Sequence, residues 1–274
     1  MSASPWPHDP NSAPAAARPG PLATIDQPGR LVAVRGAHGG AGATTVAAHL
    51  AGAWARWGPG PVGLVDLAGG LAQRLDLPPG VRTWTDLADP ADQPDDHALL
   101  EAFTQPWPGM WVLPLVGLVD GGQPEAAPDS ALVRAVVAAG RRAFQVLVAD
   151  LPPAGGPQVD AALGLADLLL AVGRCHSAGV RGARAALDLW TAAGRNQAAA
   201  GAVITGVRSR APLAPREARA VLAERLWALV PDDAAEFAAA AEDGMLLLDR
   251  PELPAVQALI TLANRVVPLP TPPG

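Results

Sequence analysis

The sequence has 274 residues, of which 50% are hydrophobic and 17% are charged, a composition typical of a globular protein. Its formal net charge of −6 argues against non-specific binding to DNA, for which a basic surface is expected. No apolar stretch reaches the ~18 residues of a transmembrane segment, and no basic region followed by an apolar block marks a secretion signal, so we expect a cytoplasmic protein.

The two ends of the chain differ in composition from its middle. Residues 1–28 hold seven prolines separated by small residues. Such a segment cannot bury enough apolar surface to order itself, so it predicts a disordered tail. Residues 268–274 predict a second, flexible tail for the same reason. Between the tails, residues 29–267 predict a single domain.

Apolar runs of strand length alternate with amphipathic segments through this domain. The runs predict seven strands buried on both faces: Leu31–Arg35, Val62–Asp66, Met110–Val116, Gln145–Asp150, Leu168–Val172, Ala202–Val207 and Leu226–Val230. Four sets of residues at helical spacing predict buried helix faces: Val46, Leu50, Ala53, Trp54 and Trp57; Leu132, Val133, Val136 and Val137; Val180, Ala183, Leu187 and Trp190; Val256, Leu259, Ile260 and Ala263.

This alternation predicts an α/β fold with a doubly wound, mainly parallel sheet of about seven strands and helices on both faces. Ligands of such folds bind at the carboxyl ends of the strands. Short segments around Trp84–Leu87 and His97–Phe103 predict small helices on that side.

A glycine-rich loop follows the first strand. Gly36, Gly39, Gly40 and Gly42 precede Thr44-Thr45 and a helix. Glycines allow a tight turn and let backbone N–H groups approach an anion, and the helix N-terminus adds partial positive charge. The threonine at the end of such a loop is a ligand for Mg²⁺. The alternative is a tight strand-to-helix turn without a ligand, which four glycines in seven residues disfavour.

The loop resembles the deviant Walker A motif of the ParA/MinD family, Lys-Gly-Gly-x-Gly-Lys-Thr-Thr. The resemblance implies a nucleotide site made of His38, Gly39, Gly40, Ala41, Gly42, Ala43, Thr44 and Thr45. His38 stands where the family's signature lysine reaches across a dimer to the partner's nucleotide. Ala43 stands where a lysine holds the β- and γ-phosphates, and Thr44 matches the Mg²⁺ ligand.

Two later segments extend the resemblance over about residues 30–267. Val62–Ala68 is similar to the family's second motif, a strand ending in Asp-x-Asp, but Ala68 replaces the second carboxylate, which positions the attacking water. Gln145–Pro153 resembles the Walker B strand and ends in Asp-Leu-Pro-Pro. The resemblance thus implies Thr44, Asp66 and Asp150 as metal ligands, with ATP and Mg²⁺ as cofactors whose binding is weakened.

Within the family, the loop is most similar to the TadZ/CpaE branch, where Gly-Gly-x-Gly-Ala-Thr-Thr is familiar. That branch assists the assembly of Flp/Tad pili, and a related branch is described as septum-site-determining. The resemblance implies a homodimer, protein partners in a pilus, secretion or division machine, and recruitment to the inner membrane face or a pole. It implies a spatial regulator or assembly factor.

The missing lysines and carboxylate bear on catalysis. Each charge-assisted hydrogen bond to phosphate contributes roughly 1.5–3 kcal/mol, so losing both lysine contacts should weaken ATP binding by roughly 10²–10⁴-fold. We expect hydrolysis to be very slow or absent, because electrostatic stabilisation of the transferring group is most of its catalysis. Arg35, Arg174 and Arg181 lie near predicted strand ends and are candidate replacements, although solvated arginines are the simpler interpretation.

Two other functions stay open. One is an active ParA/MinD-like ATPase that partitions DNA or a membrane-bound cargo. The other is an accessory protein of a secretion or polysaccharide-export machine. The alanines at positions 43 and 68 argue against the first, as does the C-terminal Pro-Leu-Pro-Thr-Pro-Pro-Gly, which is not an amphipathic membrane-binding helix.

The remaining candidate residues give weaker signals. Cys175-His176 is a possible Cys/His nucleophile, but an ordinary loop is favoured because adjacent side chains rarely face each other. His8, His49 and His97 show no metal-ligand spacing, and His49 is predicted to be a hydrogen-bonded interior residue. Trp107 or Trp111 would be a partner anchor if exposed, although both fit the core.

Overall fold

The computed structural model describes residues 27–58, 60–87, 95–115, 127–208 and 213–269. The predicted tails 1–28 and 268–274 lie outside this part of the chain, apart from residues 27, 28, 268 and 269.

The described residues form one eight-stranded sheet with the order β3-β4-β2-β5-β1-β6-β7-β8. Its strands are β1 Arg30–Gly36, β2 Val62–Asp66, β3 Thr104–Trp107, β4 Met110–Leu113, β5 Val146–Leu151, β6 Leu168–Arg174, β7 Ala200–Val207 and β8 Leu226–Pro231. All neighbouring pairs are parallel except the antiparallel pair β3–β4 at one edge. The predicted mainly parallel α/β fold is confirmed.

Two details of the strand prediction are wrong. The sequence pattern gave no strand at Thr104–Trp107, which forms the edge strand β3 and contains Pro106. Proline is tolerated there because an edge strand needs only one of its two hydrogen-bonding sides. The predicted strand Met110–Val116 ends at Leu113, since its later residues do not pair with β2, and Val116 lies outside the described residues.

Nine helices accompany the sheet in the described part of the chain: α1 Ala43–Trp57, α2 Leu71–Arg74, α3 Asp96–Glu101, α4 Ser130–Ala143, α5 Pro157–Leu165, α6 Ser177–Ala192, α7 Pro215–Leu222, α8 Ala234–Glu242 and α9 Pro254–Val266. Short 3-10 turns occupy Thr85–Leu87, Gln197–Ala199, Ala223–Arg225 and Leu247–Asp249. The four predicted helix faces are confirmed in α1, α4, α6 and α9, with Trp57, Leu132 and Ile260 only half-buried at their margins. None of the described helices is long and apolar enough to cross a membrane.

The sheet separates two apolar cores. Successive residues of β1 point to opposite sides, so Leu31 and Ala33 enter one core while Val32 and Val34 enter the other. Helices α1 and α9 cover the second core, and α4, α5 and α6 cover the first. Burial on both faces explains why the central strands are continuous apolar runs.

The strand order brings the three predicted motifs together. Strand β5 lies between β1 and β2, and all three are parallel. Their carboxyl ends therefore meet at one edge of the sheet, where the glycine loop, Asp66 and Asp150 are neighbours.

Candidate phosphate-binding site

The glycine loop crosses the carboxyl edge of the sheet between β1 and α1. Gly40 and Gly42 have φ angles of +73° and +88°, in the left-handed region that glycine adopts without strain. A Cβ at Gly40 would meet no atom within 4 Å, so glycine is required there by the backbone conformation and not by space. Gly42 is the N-cap residue directly before α1, so the turn aims the helix N-terminus at the loop.

The loop leaves a row of backbone donors unused. Its own bonds are Ala41 N–H to the His38 carbonyl at 3.3 Å and the Thr205 hydroxyl to the Ala41 carbonyl at 2.8 Å. Within the described residues, no protein acceptor meets the N–H groups of Gly39, Gly40, Gly42, Ala43, Thr44 and Thr45. Several N–H groups at a glycine loop and a helix N-terminus form a cradle for an anion.

His38 turns back onto its own chain. Its Nδ1 lies 2.8 Å from the Gly39 carbonyl oxygen, and its ring stacks on His176 with centroids 5.1 Å apart. His176 in turn caps α6, because its Nδ1 accepts the Gly179 N–H at 3.0 Å. In this arrangement, the His38 side chain stays on its own chain and does not extend away from the loop, as the family's signature lysine does at this position.

Neither alanine of the altered motifs supplies a polar group. The half-buried methyl of Ala43 packs against the core beside the loop, and Ala68 is exposed just beyond β2. The charges that the ParA/MinD motif carries at these two positions are therefore missing from the site.

Asp66 organises the loop after β2. It is fully buried, and Oδ1 accepts the N–H groups of Ala68 at 2.8 Å and Gly69 at 2.7 Å, while Oδ2 accepts that of Leu71 at 2.8 Å. Burial raises its pKa and the N–H bonds lower it, with a net increase. Both oxygens thus hold the backbone of the loop after β2 in place.

Asp150 lies beside Asp66 in the β2–β5 register and is also fully buried. Neither of its oxygens has a hydrogen bond of ordinary geometry in the described part of the chain. Burial, followed by the nearby Asp66, raises its pKa well above the usual value, while the hydroxyl of Thr44 lowers it. A buried, unpaired carboxylate beside a hydroxyl fits a divalent cation, so Thr44 and Asp150 have the chemistry of an Mg²⁺ site.

A cavity of about 360 Å³ opens next to the loop. Its polar wall contains Gly40, Gly42, Thr45, Arg74, Arg174 and Thr205. Its apolar wall contains Val46, Val230, Phe237, Ala238, Ala241 and Leu259. The volume lies in the range of small-molecule sites, which are mostly apolar with a few polar groups.

The structure separates the three arginines predicted as replacement charges. Arg174 lines the cavity, but Arg35 donates to the Pro153 carbonyl at 2.9 Å and Arg181 is exposed on α6, outside the cavity wall. Sequence reasoning missed Arg74 and Thr205, which belong to no motif and reach the site only through the tertiary fold.

The weaker candidates are mostly structural. The Cys175 thiol is buried and donates to the Leu213 carbonyl at 3.2 Å, and burial raises its pKa, so it is not an activated nucleophile. His49 is a hydrogen-bonded interior residue, as predicted. Trp111 is 6% exposed and belongs to the core, as predicted, and Trp107 is half-buried against the core, so neither has the exposure on which the alternative of a partner anchor depends.

Sequence comparison identifies only partial relatives. No protein-family model matches the chain. Uncharacterized proteins from two strains of Mycobacterium tuberculosis are 37% identical over 152 residues, which is 54% of this chain. The chain spans about 40% of the length of these curated relatives.

Solved structures show the fold. A ParA family ATPase from Chlorobium tepidum matches with a TM-score of 0.73 at 17% identity, over 86% of this chain and 98% of that one. The MinD cell division protein of Aquifex aeolicus gives 0.70 at 19%, covering 89% and 99%. The septum site-determining protein MinD of Pyrococcus horikoshii, complexed with Mg-ADP, gives 0.69 at 21%, covering 87% and 96%.

These matches define the class of fold to which the chain belongs. It has the P-loop NTPase fold of the ParA/MinD proteins.

Proposed function

We propose that this protein is a TadZ/CpaE-like spatial regulator or assembly factor that positions a pilus or septum machine. It works on a degenerate P-loop scaffold, binds ATP weakly and hydrolyses it slowly or not at all. The observation that carries the proposal is the pair Ala43 and Ala68, which leaves a cradle of N–H groups without the charges needed for turnover.

The parts that bind phosphate are retained. The N–H groups of the loop would hold phosphate oxygens, and Thr44 and Asp150 would hold Mg²⁺. When bound, Mg²⁺ supplies positive charge that neutralises the phosphate oxygens. Retention of these groups favours nucleotide as a signal that biases a protein surface, because a ligand shifts a conformational equilibrium through its different affinity for two states.

The partners are expected to be proteins. Solved structures of similar fold include a complex of the cell division proteins MinC and MinD, in which a protein of this fold binds a partner. We propose a homodimer in the cytoplasm, recruited to the inner membrane face or a pole. The net charge of −6 disfavours DNA.

The first test measures ATP binding and turnover on the same preparation. Titration of labelled ATP with Mg²⁺ should give saturation only at high concentration, and phosphate release should stay near the uncatalysed background. Thr44→Ala should weaken the Mg²⁺-dependent part of binding, whereas Thr191→Ala, at a threonine bonded only within α6, should not. Tight binding with fast turnover would favour the active partitioning ATPase and contradict the proposal.

The second test addresses position in the cell. A fluorescent fusion should form discrete foci at a pole or septum. The genes next to this one should include pilus ATPase or prepilin genes. Uniform fluorescence together with an adjacent ParB-like gene would count against a TadZ/CpaE-like role.

A further inference from the structure

Arg74 is a buried cation without a counter-ion. It ends the short helix α2 and is 8% exposed. Nη1 donates to the Met245 carbonyl at 3.3 Å, whereas Nε and Nη2 have no hydrogen-bond partner. No carboxylate of the described residues forms an ion pair with it. Burying an unpaired charge is unfavourable, so its retention calls for an anion that the protein itself does not supply.

The neighbouring histidine, His49, does not provide Arg74 with a counter-ion. His49 is held neutral, because its ring bridges the Thr45 carbonyl at 2.8 Å and the Leu247 N–H at 3.2 Å. Burial, followed by the charge of Arg74, lowers the pKa of His49 to about 3. The imidazole beside Arg74 therefore stays uncharged at neutral pH, and no described carboxylate lies within ion-pair distance of the guanidinium.

Arg74 lines the same cavity as the phosphate loop. Gly40, Gly42 and Thr45 form part of the wall, and Arg174 adds a second guanidinium, which packs over Gly206. Arg174 makes no ion pair within the described residues.

The cavity lining also holds two acidic residues. Asp232 pairs with Arg208, and Asp233 accepts the Ala255 N–H at 3.1 Å. The lining thus combines two arginines that make no ion pair within the described residues with Gly40, Gly42 and Thr45 of the glycine loop.

We infer that Arg74, assisted by Arg174, binds the phosphates of a nucleotide in this cavity and replaces the charge that lysines would supply at positions 38 and 43. The ligand is a nucleoside polyphosphate, because the cavity lining also includes the apolar side chains of Val46, Phe237 and Leu259, which suit a base. The inference rests on the proposed function, since it names the groups that let a degenerate loop keep its nucleotide.

The test compares Arg74→Gln and Arg74→Lys with the wild-type protein. ATP affinity, measured by titration with Mg²⁺ present, should fall roughly tenfold to a hundredfold in Arg74→Gln and less in Arg74→Lys, because lysine keeps the charge but not the fork. Without ligand, Arg74→Gln should melt at the same temperature as the wild type or above it, since the buried unpaired charge is gone. Arg134→Gln, at an exposed arginine that bonds only its own helix, is the matched control and should change neither value.

A second comparison uses ligands. ATP and ADP should raise the melting temperature of the wild type, pyrophosphate should raise it less, and inorganic phosphate or adenosine alone least. Arg174→Gln should reduce the ATP effect partially. Equal effects of pyrophosphate and ATP would show that the apolar wall is unused and would overturn the assignment of a nucleotide.

The outcomes separate this inference from the proposed function. Arg74→Gln with a lowered melting temperature and unchanged ATP affinity would make Arg74 structural and overturn the inference. Absence of ATP binding by the wild type at millimolar concentration would overturn the inference together with the weak ATP binding proposed above, but not the proposed role in positioning a pilus or septum machine. Fast wild-type turnover that depends on Arg74 would support the inference and contradict the proposed function.

Discussion

The side chains at positions 43 and 68 are both methyl groups, but the missing charge has a different consequence at each position. Position 43 begins α1 inside the cradle, where a cation would meet the phosphates. Position 68 lies exposed beyond the Asp66 turn, where a carboxylate would face water. One change therefore affects binding, and the other affects the placement of the attacking water.

Introducing the family's lysine at position 43 and its aspartate at position 68 should separate the effect on ATP binding from the effect on hydrolysis. Ala43→Lys should tighten ATP binding by roughly tenfold or more, through one charge-assisted contact, but phosphate release should stay near background. The double variant Ala43→Lys/Ala68→Asp should exceed the single variants in phosphate release. Robust hydrolysis by Ala43→Lys alone would show that the second motif is misassigned.

Two adjacent glycines offer a clean measure of backbone strain in the loop. A Cβ would meet nothing within 4 Å at Gly39 or at Gly40, but only Gly40 has a positive φ, +73°. Gly40→Ala should therefore cost about 1–2 kcal/mol, and Gly39→Ala should be close to neutral. Thermal unfolding should show a melting temperature lower by about 2–4 °C per kcal/mol in Gly40→Ala only. Equal losses in both variants would mean that crowding, and not φ, controls the loop.

At the scale of elements, His49 joins α1 to the turn at Leu247–Asp249. The folded protein keeps its ring neutral down to a pKa of about 3, whereas the unfolded chain takes up the proton near pH 6.5. Below pH 6.5 the unfolded state therefore binds more protons, and stability from this group is lost as pH falls towards 3.

The pH dependence of unfolding should reveal this junction. Between pH 6.5 and 4, His49 should contribute a loss of up to about 1.4 kcal/mol per pH unit to the free energy of unfolding. His49→Gln should flatten this slope in urea unfolding, whatever its effect on stability at pH 7. An unchanged slope in His49→Gln would contradict the buried neutral ring.

The elements that sequence reasoning predicted are those with a strong local pattern. The central strands are continuous apolar runs, and the glycine loop lies in one contiguous segment, so both could be predicted without tertiary contacts. Strand β3 could not, because Thr104–Trp107 is short, half-polar and contains a proline, and it pairs only at an edge. The position of Arg74 could not either, because a lone arginine on a four-residue helix has no pattern, and the packing of α2 against α8 brings it to the cavity.

At the scale of the whole molecule, the sheet places the glycine loop, Asp66 and Asp150 on one edge. The homodimer proposed above would bring this edge of two copies together around nucleotide. Sedimentation velocity should show a dimer at micromolar concentration with Mg²⁺ and ATP present. Sedimentation as a monomer throughout a concentration series with saturating ATP would contradict the proposed homodimer.

The buried thiol just after β6 makes the opening of this part of the protein measurable. Cys175 is the single cysteine of the chain, and its hydrogen bond to the Leu213 carbonyl ties β6 to the segment before α7. A thiol reagent can react only when this segment opens, so the rate of labelling reports the rate or extent of that opening. If nucleotide at the neighbouring loop rigidifies this end of the sheet, labelling will slow in step with binding, and occupancy can be followed without any chemical turnover.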